Sequence, residues 1–154
     1  MISVCGSFQE KDLNVITMSR GEIQNQTIIT ANHVVISICS PCETLSSINT
    51  GSLDVLRLRF QDLDASESNQ DVLFSKSEAE RVVSFLRLWI EKVDMIIIHC
   101  GAGVSRSVGL AAALTKVIFG NDDEFFKKGV PNRLVYRIAL ETFMGSFLNE
   151  SSNS

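Results

Sequence analysis

The densest chemistry in the chain lies in one stretch, His99-Cys100-Gly101-Ala102-Gly103-Val104-Ser105-Arg106-Ser107. A cysteine attacks as its thiolate, and it ionises most readily where backbone N–H groups and cations converge. A tight loop entering a helix supplies that field, because its amides point at one place and the helix N-terminus carries partial positive charge. The same field suits an oxyanion such as phosphate. Gly101 and Gly103 are read as freeing the loop backbone and letting an anion come close. Arg106 offers a planar fork able to take two oxygens of that anion. Cys100 is therefore expected as an ionised nucleophile aimed at phosphorus. The backbone of Gly101, Ala102, Gly103, Val104, Ser105 and Arg106 would form the cradle.

Such a loop needs a rigid element on each side. Residues 95–98 are a run of apolar, mostly β-branched side chains, the pattern of a strand buried on both faces. Residues 108–119 are apolar nearly all round and rich in alanine, the pattern of a buried helix. Further strands are expected at residues 13–18, 34–39 and 55–60, and a short edge strand at 2–5. The 55–60 strand alternates apolar and charged residues, so it should be half-buried and near a sheet edge. Ser19 with Glu22 reads as a capping box opening a short helix that ends near Gln26. Ser75 with Glu78 opens another, carrying Ala79, Val82, Val83, Leu86 and Trp89 at helical spacing. Residues 61–71 form a polar loop, and a short helical turn is expected at 122–127. Pro131 should begin the last helix, running to about Phe147. Alternating strands and helices imply an α/β fold with a central, mostly parallel sheet flanked by helices on both faces. A single domain over residues 1–148 is expected, with 149–154 a frayed tail.

The whole chain sets bounds. Its 154 residues suffice for one real core. Hydrophobic content of 45% with 21% charge is ordinary for a globular protein. A net charge of −4 argues against nucleic acid or an anionic membrane as partner. No apolar stretch is long enough to span a bilayer, and residues 1–10 lack the basic-then-apolar pattern of a signal peptide. Four scattered cysteines do not make a disulfide scaffold, so a reducing cytoplasm is the expected setting.

The motif His99-Cys100, five residues, Arg106-Ser107, with its preceding apolar strand, interior Gly103 and following helix, resembles the signature of cysteine-dependent protein tyrosine and dual-specificity phosphatases. The likeness is best from Val34 to about Leu140; residues 1–33 do not match. The resemblance implies a phosphomonoester hydrolase with a cysteinyl-phosphate intermediate and no metal or cofactor. Its substrate would be a phosphorylated protein (tyrosine, or tyrosine with serine and threonine) or a small phosphoester. It implies a general acid on a loop after a strand, which lands on Asp62, with Asp64 as rival. It implies that Ser107 stabilises the departing cysteine, although a serine there also suits a helix cap. His99 would order the loop through hydrogen bonds. Pro131-Asn132 matches the family's last-helix opening, which makes Asn132 a supporting residue. The chain lacks a separate tyrosine-recognition segment, so a shallow pocket is expected. No lysine lies between Cys100 and Arg106, so the extra charge of a phosphoinositide pocket is missing.

Cys39-Ser40-Pro41-Cys42 is a Cys-x-x-Cys without the partners of a zinc site. In the family's sheet its strand lies parallel to the catalytic strand, which would bring Cys39 near Cys100 as a redox partner. His33, ahead of that strand, is expected at the surface. Two other readings stay open on the residues alone. One is a catalytically weak phosphate-binding module of the same fold. The other is a sulfurtransferase or arsenate reductase with a cysteine in an anion loop.

Overall fold

A computed structural model describes residues 12–148. The strand expected at residues 2–5 and the tail at 149–154 lie outside the described residues. The elements are β1 (Asn14–Ser19), α1 (Arg20–Gln24), β2 (His33–Cys39), β3 (Val55–Arg59), α2 (Lys76–Trp89), β4 (Met95–Cys100), α3 (Arg106–Phe119), α4 (Asp123–Lys128) and α5 (Arg133–Phe143). A π-helical turn, Met144–Leu148, follows. The four strands form one sheet in the order β1-β4-β2-β3, and every pairing is parallel. The expected α/β architecture is therefore present, with the sheet parallel throughout.

β2 is buried along its whole length, as is β4 after Met95. That is why both read as unbroken apolar runs rather than alternating ones. β3 is an edge strand, and its alternation shows as a buried Leu58 beside an exposed Arg59. The two faces are unequal. One carries the main core, which gathers Ile36, Ile38, Ile96 and Ile98 with buried residues of α2, α3 and α5. On the other, Val35 and Ile97 pack on Ile23 of the short α1. α3 is sandwiched between the sheet and α5, which explains its apolar circumference. No helix among the described residues is long and apolar enough to cross a membrane.

Local signals resolved unevenly. The Ser19–Glu22 capping box is formed in both directions. At Ser75 it is not: the hydroxyl donates to the Glu78 carboxylate at 3.0 Å and caps no backbone N–H. The last helix starts at Arg133, not Pro131, because Asn132 is its cap and accepts the Val135 N–H at 3.0 Å. Proline at 131 thus fixes the approach to the cap. His33 is buried, contrary to the surface position expected, because it opens a central strand rather than preceding it. Its ring is satisfied there: Nδ1 donates to the Ala31 carbonyl at 2.8 Å and Nε2 meets Thr50 Oγ1 at 2.7 Å.

Candidate active site

Ligand sites in parallel sheets form beyond the C-terminal strand ends, where the strand order switches. β4, inserted between β1 and β2, ends at Cys100 at such a switch. The sulfur is 2% exposed and faces three groups of its own loop. The N–H groups of Gly103 and Ser107 donate to it at 3.3 and 3.4 Å, and Ser107 Oγ lies at 3.1 Å. Ser107 is not the cap: Ser105 holds that position, and Ser107 sits inside α3 with its hydroxyl turned to the sulfur.

Gly103 is the loop's one residue with left-handed backbone, φ +76°. A Cβ there would lie 2.6 Å from the Ser19 nitrogen and 2.9 Å from the Met18 carbonyl oxygen, so a side chain fails on both backbone angle and space. Gly101 does not adopt such angles, which corrects the sequence reading. Its role is room: a Cβ at 101 would sit 3.2 Å from Arg106 Nη2.

Arg106 is 6% exposed, and its guanidinium is divided between two tasks. Nη1 donates to Ser40 Oγ at 3.0 Å and to the Phe60 carbonyl at 2.9 Å. Nε is buried with no partner among the described residues. The Nε–Nη2 edge is thus the side left for a bidentate anion, and a buried donor without a partner costs about 1–3 kcal/mol until one arrives. An oxyanion fits that vacancy.

Asp62 lies on an ordered loop. Gln61 and Val72 bond to each other, and the Asp71 carboxylate gathers the N–H groups of Glu67 and Ser68, which hold it below the usual carboxylate range. Asp62 Oδ1 accepts the Ser105 hydroxyl at 2.7 Å and the Asn132 amide at 2.9 Å. The acidic loop is thereby tied to the cysteine loop and to the head of α5. Oδ2 makes no hydrogen bond among the described residues. Asp62 stands in the wall between two clefts of about 530 and 280 Å³; Asp64 lines only the smaller one and makes none of these bonds.

His99 is fully buried, and Nε2 bonds Ser37 Oγ of β2 at 2.6 Å. Arg57 Nη1 also donates to that hydroxyl, at 3.1 Å. Burial pushes the imidazole pKa down to about 4, with Arg57, Arg20 and Arg106 acting the same way. Nε2 thus ties the ring to the neighbouring strand, while a hydrogen bond with the backbone of Cys100, where the loop begins, acts in the opposite sense and raises the pKa.

The register argues against Cys39 as redox partner. Ser37 pairs with His99, and both side chains lie on one face. Strand side chains alternate, so Cys39 belongs to that face and Cys100 to the other, where it joins Ile38 and Ile98 in the main core. Shared strand ends bring the backbones together, but the pleat sends the sulfurs apart.

Sequence reasoning missed Ser40 and the Phe60 carbonyl. A serine closing a parallel strand at its C-terminal end was the available signal for the first. A backbone carbonyl leaves none.

No protein-family model matches the sequence, and no curated protein does. Solved structures do match. PTPMT1 in complex with PI(5)P superposes with a TM-score of 0.59 at 15% identity, over 90% of this chain and 94% of that one. Human tyrosine phosphatase-like serine/threonine/tyrosine-interacting protein gives 0.54 at 17% identity, over 77% and 80%. Human DUSP28 gives 0.53 at 12% identity, over the full length of both. These matches cover 77–100% of this chain, which has the fold of the small dual-specificity and tyrosine phosphatases.

Proposed function

We propose that the chain hydrolyses phosphomonoesters through a cysteinyl phosphate. Phosphorylated tyrosine, or tyrosine with serine and threonine, in proteins is the substrate class. Its place of action is the cytoplasm. The observation that carries the reading is the division of labour at Arg106: one edge anchored, the other unpartnered beside a sulfur that collects two N–H groups and a hydroxyl.

In this mechanism the oxyanion occupies the loop, with two oxygens on Nε and Nη2 of Arg106. The Cys100 thiolate attacks phosphorus in line, and the bond to the leaving oxygen breaks. Asp62 gives that oxygen its proton from Oδ2, the oxygen the protein leaves free. Water then attacks phosphorus, Asp62 takes its proton back, and the P–S bond breaks. The Ser107 hydroxyl, 3.1 Å from the sulfur, stabilises the thiolate that departs. Loop amides and Arg106 meet the charge that spreads over the phosphoryl oxygens, the main requirement of this chemistry. Turnover of a generic aryl phosphate, with rapid acid quench and mass spectrometry to find phosphate on Cys100, tests it. Turnover without Cys100 phosphate sinks the mechanism.

A second reading keeps the fold and drops the chemistry. A phosphatase-like interacting protein shares this architecture, so capture of phosphorylated partners without turnover is the rival. Phosphopeptide binding by a chain that releases no phosphate would favour it.

A further inference from the structure

Three arginines from three elements converge on one small turn, residues 40–44, just past the end of β2. Arg106 Nη1 reaches Ser40 Oγ. Arg59, ending β3, puts Nη1 on the carbonyls of Ser40, Pro41 and Glu43, the last at 2.8 Å. Arg20, whose N–H bonds the Gly101 carbonyl at 2.9 Å, reaches Thr44 Oγ1 with Nη2 at 3.2 Å and faces Glu43 at 4.0 Å. The turn is also closed on itself. Glu43 Oε1 accepts the Ser40 N–H at 2.6 Å, and the Glu43 N–H returns to the Ser40 carbonyl at 3.0 Å. Pro41 restricts Ser40 to extended backbone.

These bonds give Ser40 a single orientation. Its hydroxyl oxygen accepts from Arg106, so its proton is free for the Glu43 carboxylate. That carboxyl is held below its usual range by the Ser40 N–H first, then the Ser40 hydroxyl, Arg106 and Arg20. Arg106 thus rests on a serine whose backbone Glu43 holds from both sides.

We propose that Ser40, fixed by Glu43, is a positioning residue that sets the angle of the Arg106 fork. The inference rests on the phosphatase reading. With the Phe60 carbonyl it consumes both protons of Nη1, so the guanidinium cannot turn that edge toward substrate. The Cys39-x-x-Cys42 stretch is then a platform for the arginine rather than a redox motif.

Ser40→Ala, Ser40→Thr and wild type test this with steady-state kinetics on an aryl phosphate, calorimetric binding of tungstate, and thermal melting. Ser40→Ala should lose about 10- to 100-fold in kcat, the range for a hydrogen bond to a charged group. KM and melting temperature should move little. Tungstate affinity should fall with kcat, and Ser40→Thr, which keeps the hydroxyl, should recover both. Unchanged kcat and tungstate affinity in Ser40→Ala overturn the proposal, as does equal loss in Ser40→Thr. A wild type that binds tungstate but turns nothing over counts against the phosphatase reading alone, and the Ser40 variants' tungstate affinities still decide the positioning role. A wild type that binds no tungstate overturns both.

Discussion

Replacing Asn132 by aspartate separates the fold of α5 from the chemistry of Asp62. The Asn132 amide is oriented by its partners: Oδ1 accepts the Val135 N–H at 3.0 Å, and Nδ2 donates to Asp62 Oδ1 at 2.9 Å and to the Leu63 carbonyl at 3.2 Å. Aspartate caps a helix as well as asparagine does, so Asn132→Asp should keep α5 intact. It removes the donor, however, and sets a carboxylate against a carboxylate. Two unit charges about 4 Å apart cost roughly 1 kcal/mol in water and 4 kcal/mol near a protein surface. Asp62 is solvent-exposed, so the lower part of that range applies, about 1–2 kcal/mol. Loss of the Asn132 donor, a hydrogen bond to a charged group, should cost about tenfold in rate for substrates with poor leaving groups. Repulsion favours the protonated acid, so the basic limb of the pH–rate profile should move to higher pH. Asn132→Ala instead deletes the cap, for about 1 kcal/mol and a fall in Tm of about 2–4 °C, and deletes the donor too. Calorimetric melting and pH-dependent kinetics on both variants give the answer. The stability order should be alanine below aspartate, and both should be slower than wild type. Wild-type rate in Asn132→Asp, or rate loss that simply tracks Tm, would refute the reasoning.

Four further outcomes are expected. Cys100→Ser should abolish turnover while tungstate binding persists, and Arg106→Lys should be severe because a point charge replaces a fork; near-normal rates in either would remove that residue from the mechanism. Asp62→Asn should cost about 10²–10⁴ in rate, less for good leaving groups, while Asp64→Asn should cost little; the reverse pattern would move the acid by two residues. His99 has its folded pKa depressed from 6.5 to about 4, so its contribution is complete above pH 6.5 and lost as pH falls toward 4, roughly 3 kcal/mol in all. Melting temperature followed over that window should show a steeper acid loss in wild type than in His99→Asn, and parallel curves would contradict it. Mild peroxide should oxidise Cys100 without a Cys39–Cys100 bond, and a linked peptide in the mass spectrum would show that the pleat argument fails.

Much of this site could be read from the chain because a short segment carries it. The loop between β4 and α3 is contiguous, so spacing nominated Cys100 and Arg106, the phosphatase resemblance added Ser107, and the apolar run before them announced a central strand. Asp62 was nominated because the resemblance implies a general acid on a loop after a strand, and it follows one. What binds it to the loop is an assembly of Ser105 and Asn132, distant in sequence. Errors came where side-chain direction decides. Cys39 ends the right strand on the wrong face, and one residue of parity is invisible without the register. His33 looked like a loop residue because its strand begins one position earlier than its apolar neighbours suggest. The anchoring of Arg106 was illegible for a plainer reason: half of it is the carbonyl of Phe60, which any residue at position 60 would supply.

The order β1-β4-β2-β3 also bears on how the protein comes to be active. β4 must insert between two strands made much earlier in the chain, β1 and β2. The loop then leans on Ser19 at one end of the chain and, through Asp62, on Asn132 near the other. Loop closure on that scale has to occur before those contacts repay it, so folding should be slow beside that of helical domains of equal size. Nucleophile, fork and acid meet only when the last of these pairings forms. Activity recovered on dilution from denaturant should therefore appear with the final folding phase and not before it, and a fragment lacking either β1 or α5 should have none.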